Sequence, residues 1–186
     1  MKNQKASLLF LAVSSVVLCG AAYGQTAARG PAPRSAAPAP VFKVEENLGQ
    51  LMKGILFPSS NVIFAAQDQN PASVPPDKDP STATNPLASA YGKWEAVENS
   101  GLAIAASANL LLLPGRKCAN GRAVPLKNAD WPILVQALRD AGMAVYKAAQ
   151  SKNQDNILTA ADTMTTACAN CHDKYREKPN LADRCQ

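Results

Sequence analysis

Apolar positions recur at helical spacing in four stretches of the chain, and proline-rich stretches separate or precede them. The first stretch runs from about Val44 to Gln67 and places Leu48, Leu51, Met52, Ile55, Leu56, Ser59, Val62, Ile63 and Ala66 on one stripe. Glu45 and Glu46 fall in its expected first turn, where carboxylates favour the helix dipole. Pro58 lies inside it and would clash with the Gly54 carbonyl, so a kink or short break is expected there. The second stretch runs from Pro86 to Leu112. Asn85-Pro86 reads as its cap and first residue, and Pro114-Gly115 as its stop. Its apolar face is Tyr91, Trp94, Val97, Ile104, Ala108, Leu111 and Leu112. The third runs from Trp131 to about Gln150, with Asp130 as its expected cap and Leu134, Val135, Leu138, Ala141, Val145 and Ala149 as its stripe. The fourth starts near Asp155 and ends before Pro179, with Ile157, Ala161, Met164, Cys168, Cys171, His172 and Tyr175 on one face. Four amphipathic helices must bury their stripes against each other. The expected fold is all-α, an antiparallel up-down-up-down four-helix bundle.

Two segments have no such period. Residues 25–43 are rich in Ala and Pro and read as an extended linker. Residues 69–86 carry Pro71, Pro75, Pro76 and Pro80 and must form a loop. The bundle domain is therefore placed at residues 44–186. Composition agrees with this reading. Aromatic residues make up 5% of the 186, and the β-branched and aromatic runs of a sandwich or barrel are missing.

Residues 1–24 read as a secretory signal. Lys2 and Lys5 precede an apolar run from Ala6 to Leu18, and Ala22-Tyr23-Gly24 offers small residues at a cleavage site. Removing them from 186 residues leaves 162, beginning at Gln25, and lowers the formal charge from +5 to +3. An exported, periplasmic location is expected. The run to Tyr23 is also about long enough to stay uncleaved as a membrane anchor. Lipid attachment at Cys19 is the other option, against which Leu18 stands where a small residue is needed. A small positive excess without a basic run argues against a nucleic-acid partner.

Four cysteines remain after the signal: Cys118, Cys168, Cys171 and Cys185. Cys168-Ala169-Asn170-Cys171-His172 is a C-x-x-C-H sequence, the attachment signature of haem c. Two thiols at i and i+3 on a helix can bond the two vinyl groups of one porphyrin, and the adjacent imidazole then reaches the iron. Competing readings need more than is present. Thioredoxin-like chemistry needs a neighbouring βαβ unit. A zinc site needs further ligands at regular spacing, and only Cys118 and Cys185 are available beside the single histidine of the chain. A plain Cys168–Cys171 disulfide with an incidental His172 is the bland alternative.

The motif sits at the end of the last helix and continues as Cys-His-Asp-Lys-Tyr-Arg, residues 171–176. In this the chain resembles the class II c-type cytochromes, cytochrome c-prime and its low-spin Met/His relatives. Class I cytochromes have the reverse order, with the motif near the N-terminus and a Met ligand late. The resemblance covers roughly residues 44–178. The Pro-rich loop 69–86, the insertion around Cys118 and the tail to Gln186 depart from a minimal bundle.

In an up-down-up-down bundle, helix one starts where helix four finishes. His172 lies about six residues, or about 9 Å, before the expected end of helix four, and Met52 about 12 Å into helix one. The two can meet at one level, and the resemblance also implies a distal residue from this part of helix one. Met143 would lie about 18 Å from that end, and Met164 shares a helix with His172. Met52 is therefore the candidate sixth ligand, and the rival role is a core methionine packed over a five-coordinate iron. Residues Leu110 to Leu113 should lie beside the porphyrin. Arg176 could pair with a propionate or be a solvated charge, and Trp131 and Tyr175 are candidates for packing. Cys118 and Cys185 fall at the same end of this topology. A disulfide between them is expected, against two free thiols or an intermolecular bridge.

The expected function is electron transfer by one covalent haem between protein redox partners. The second possibility is a five-coordinate gas-binding protein for nitric oxide or carbon monoxide, and the third a non-haem thiol or metal module. No acid–base pair, triad or phosphate loop signals an enzyme. The family often pairs through its first two helices, which makes a homodimer an option.

Overall fold

The computed structural model describes residues 42–185. The expected signal segment, residues 25–41 of the expected linker and Gln186 lie outside the described residues. The described part is helical. It has no β-strand, only an isolated bridge between Lys117 and Ala123, and its four main helices are compatible with a helical bundle.

Helix α1 opens as an α-helical turn (Leu48–Leu51), widens into a π-helical segment (Met52–Leu56) and continues as α-helix (Phe57–Asp68). It starts later than the periodicity predicts. Asn47 and Gln50 form a reciprocal capping box: the Asn47 side chain accepts from the Gln50 N–H at 2.8 Å, and the Gln50 side chain from the Asn47 N–H at 2.9 Å. Glu46 is thus outside the helix. Its carboxylate accepts from Arg116 Nη1 at 2.6 Å, and the same nitrogen reaches the Glu46 carbonyl at 2.8 Å. The Arg116 side chain is 1% exposed and also donates from Nε to the Leu110 carbonyl. A buried guanidinium needs such partners, and here they tie the entry of α1 to the end of the next helix.

Pro58 does not break α1. It lacks the N–H that would bond the Gly54 carbonyl, and the helix widens just before it, with the Phe57 N–H bonding the Met52 carbonyl five residues back. Of the adjacent stripe residues, Leu56 is buried and Ile55 only partly so.

Helix α2 (Lys93–Ser107) is shorter than expected, and a 3-10 turn (Ala108–Leu112) continues it. Asn85 does cap a turn, but only the single 3-10 turn Pro86–Ala88. The chain then folds back so tightly that a Cβ on Gly92 would stand 2.4 Å from the Leu87 carbonyl oxygen. Tyr91 consequently leaves the predicted apolar face and is 71% exposed. Helix α3 (Trp131–Gln150) matches its prediction in length. Its predicted cap does not: the Asp130 side chain makes no capping bond and turns instead to Lys174 and Tyr175. Helix α4 (Gln154–Tyr175) is capped by Asn153. No helix of the described residues is long and apolar enough to cross a membrane.

The core joins all four helices through Ile63, Val97, Ile104, Val145, Ile157 and Met164, each at most 1% exposed. Helices α2 and α3 meet at a glycine pair. A Cβ on Gly142 would fall 2.7 Å from the Ala105 nitrogen and 2.8 Å from the Gly101 oxygen, both backbone atoms. Gly142→Ala should therefore force the helices apart and destabilise the fold by about 1–3 kcal/mol. Urea unfolding would show a lower midpoint at unchanged slope. An unchanged midpoint would mean that the two helices separate freely.

Candidate functional site

The last turns of α4 present Cys168, Cys171, His172 and Tyr175 at i, i+3, i+4 and i+7, one face of a helix. Met164 turns toward the core, and the former four, with Ala167, line a cavity of about 430 Å³. Met52, the first residue of the π segment of α1, lines the same cavity. Its wall is largely apolar: Leu48, Leu56 and Phe57 from α1, Ile104 from α2, and Trp131 and Val135 from α3. That size is within the usual range for a small-molecule or cofactor pocket.

Both candidate ligands lie nearer their helix ends than expected, by similar amounts. Helix α4 ends at Tyr175, so His172 is about 4.5 Å from its end. Helix α1 starts at Leu48, so Met52 is about 6 Å from its start. Met143 and Met164 do not line the cavity, and Met164 is fully buried elsewhere in the core. Of Leu110 to Leu113, only Leu111 reaches the cavity wall.

Cys168 and Cys171 are free and half-buried. Burial pushes both thiols up, and for Cys171 the neighbouring Cys168 and the Asp130 carboxylate raise it further, to about 11. Both are therefore protonated at neutral pH, unlike the activated thiolates of disulfide-exchange enzymes. Burial, and then the Arg176 charge, lowers the His172 pKa. The ring is thus neutral at pH 7 with a lone pair available, and it makes no hydrogen bond to the described residues. Arg176 stands at the rim. Its Nε bonds Glu177 at 2.6 Å, and its side chain is 45% exposed. No three His, Cys, Asp or Glu side chains among the described residues gather as a ligand set for a metal ion.

The loop after α2 and the tail after α4 meet at this end. Cys118 and Cys185 form a disulfide with Cα atoms 4.8 Å apart, and Ala119 and Cys185 complete the cavity wall. The loop is also held to α1 by the Leu48 N–H, which donates to the Lys117 carbonyl, and to the tail by Asn120, which donates to the Arg184 carbonyl at 2.6 Å. The disulfide spans 67 positions of sequence. Replacing both cysteines by Ser should lower stability by about 2–4 kcal/mol, because so long a loop is freed in the unfolded chain. A thermal melt of the double variant that coincides with wild type would show that the crosslink is idle.

Trp131 and Tyr175 pack edge to face, with ring centroids 4.9 Å apart, and Trp131 Nε1 donates to the Leu111 carbonyl at 3.1 Å. Sequence reasoning missed Phe57 and Phe64, which also line the cavity and are 62% and 36% exposed. The signal was their spacing of seven, two helical turns, with Ser60 between them. It was masked by the stronger core stripe beside it. Two protonated thiols, a neutral imidazole and a thioether facing one largely apolar space form a donor set suited to a covalently held, flat, iron-bearing ring. No family model, no curated protein and no solved structure matches the chain.

Proposed function

We propose that this chain is an exported c-type cytochrome of the class II kind that transfers electrons between protein partners in the periplasm. In this reading the helices form an antiparallel up-down-up-down bundle. One haem c is held through Cys168 and Cys171, with His172 and Met52 as its iron ligands. One observation carries the reading. Met52 and the Cys168–Cys171–His172 group are far apart in sequence, yet they line the same apolar cavity.

When bound, the haem supplies a one-electron ferric–ferrous couple. The chain's own residues do the rest. Cys168 and Cys171 would tether the ring, and His172 and Met52 would ligate its iron. Trp131, Leu56 and Val135 keep water from the interior side. Arg176, which lines the rim, would be available to pair with a carboxylate of the ring. Thioether ligation raises the potential relative to a second imidazole. The competing zinc reading loses two of its possible ligands to the Cys118–Cys185 disulfide. The thiol-exchange reading is disfavoured by the raised thiol pKa values.

The test is the intact mass and optical spectrum of the protein made with haem-maturation machinery. The expected result is one covalent haem per chain and a six-coordinate low-spin ferric spectrum. A five-coordinate high-spin spectrum would move the reading to a gas-binding protein with Met52 packing beside the iron. A chain without haem would end both.

A further inference from the structure

We infer that Asp130 and Tyr175 are positioning residues for His172, fixing the orientation of its ring by anchoring the last turn of α4 to the start of α3. The inference rests on the haem reading above for its functional meaning, and on the geometry of the described residues for its mechanics.

The last turn of a helix frays unless something holds it. His172 sits in that turn, and its ring has no hydrogen-bonding partner among the described residues that would set its plane. Ligating imidazoles usually have such a partner, so the orientation has to come from elsewhere. Here it comes through Tyr175, three residues on and on the same face. The Tyr175 hydroxyl donates to the Asp130 carboxylate, 3.0 Å from both oxygens, and accepts from Asn128 Nδ2 at 3.2 Å. Lys174 Nζ lies 2.7 Å from Asp130 Oδ2, so two consecutive residues of α4 converge on one carboxylate. The Tyr175 ring is held edge-on by Trp131, the first residue of α3. The Tyr175 carbonyl accepts from the Cys185 N–H at 2.8 Å, which brings the disulfide-closed tail onto the same turn. The turn itself closes on His172, whose carbonyl accepts from the N–H groups of Arg176 and Glu177 at 2.7 and 2.8 Å.

This also explains why Asp130 forgoes the capping bond that its position before α3 invites. Its carboxylate is committed to the neighbouring helix.

The experiment compares Tyr175→Phe, Asp130→Ala and Asp130→Glu with wild type as full-length purified proteins. Tyr175→Phe keeps the ring and the Trp131 contact and removes only the hydroxyl. Hydrogen exchange is expected to accelerate about tenfold at the Arg176 and Glu177 amides in Tyr175→Phe and Asp130→Ala, while amides around Met164 keep their wild-type rates. Asp130→Glu should recover most of the protection. Equal acceleration along the whole of α4 would overturn the inference, because Asp130 would then serve only global stability. On the haem-loaded protein, the ferric electron paramagnetic resonance g-values report the orientation of the axial imidazole. They should shift in Tyr175→Phe and return toward wild type in Asp130→Glu. Unchanged g-values would overturn the link to His172. Absence of haem from every variant and from wild type would instead refute the proposed function, and the exchange rates would still decide whether the tether exists.

Discussion

Replacing His172 by Ala is expected to leave little stable haem-loaded protein, at least about tenfold less per mole of chain than wild type. The chain has one histidine, so no other imidazole can take its place. The remaining methionines of the helices, Met143 and Met164, do not line the cavity. The fold itself should tolerate the change. His172 is half-buried, makes no side-chain hydrogen bond to the described residues, and lies in a helix where Ala has the highest propensity. Haem content per chain and the far-ultraviolet circular dichroism of the variant separate the two effects. Wild-type haem loading with an unaltered spectrum would remove His172 as the proximal ligand.

Met52→Ala is expected to do the opposite: it keeps the covalent haem and opens the iron. Cys168 and Cys171, the proposed tethers, lie on α4 and are untouched, while the side chain lost is on α1. The ferric spectrum should become high-spin. Carbon monoxide should bind the ferrous protein at least about tenfold more tightly, the factor that corresponds to only about 1.4 kcal/mol of lost competition. Met52→Leu serves as the packing control, since it nearly conserves volume and costs under about 1.5 kcal/mol. If both variants retain the wild-type spectrum, Met52 only packs beside the iron. Only if that shared spectrum is five-coordinate and high-spin would the cavity suit the gas-binding alternative.

The helices were legible in the sequence because a buried stripe imposes a period of 3.6 on whatever residues fill it. Helix α3 appears at its predicted bounds for this reason, with Trp131, Val135, Leu138 and Val145 all buried. The ends were less legible, because local signals compete there with distant partners. Glu46 carries the charge of a first-turn residue, but the buried Arg116, 70 positions away, claims its carboxylate. Asp130 is a capping residue by type and a tether in fact. Asn85-Pro86 starts a helical turn that ends at once, because Leu87 and Ala88 are drawn into the core and the chain reverses at Gly92.

Part of the site was legible in the same way. A C-x-x-C-H pattern is local chemistry: its spacing alone places two thiols and an imidazole on one helical face. That Met52 shares their cavity also followed from helix lengths, with two boundary errors that offset each other. Phe57 and Phe64 escaped notice because their exposure depends on how α1 is rotated. That rotation is set by the π segment before Pro58, which no residue period announces.

The sequence by itself determined the helical class, the C-x-x-C-H motif and the pair of leftover cysteines. Each is a matter of period, spacing or residue type along one segment. The tertiary structure decided what those segments do to one another: which residues wall the cavity, that Cys118 meets Cys185, and that Asp130 reaches across to Tyr175. The physical reason is that hydrogen bonds, disulfides and packing are settled by distance in space. That distance is fixed only when all four helices bury their apolar faces together.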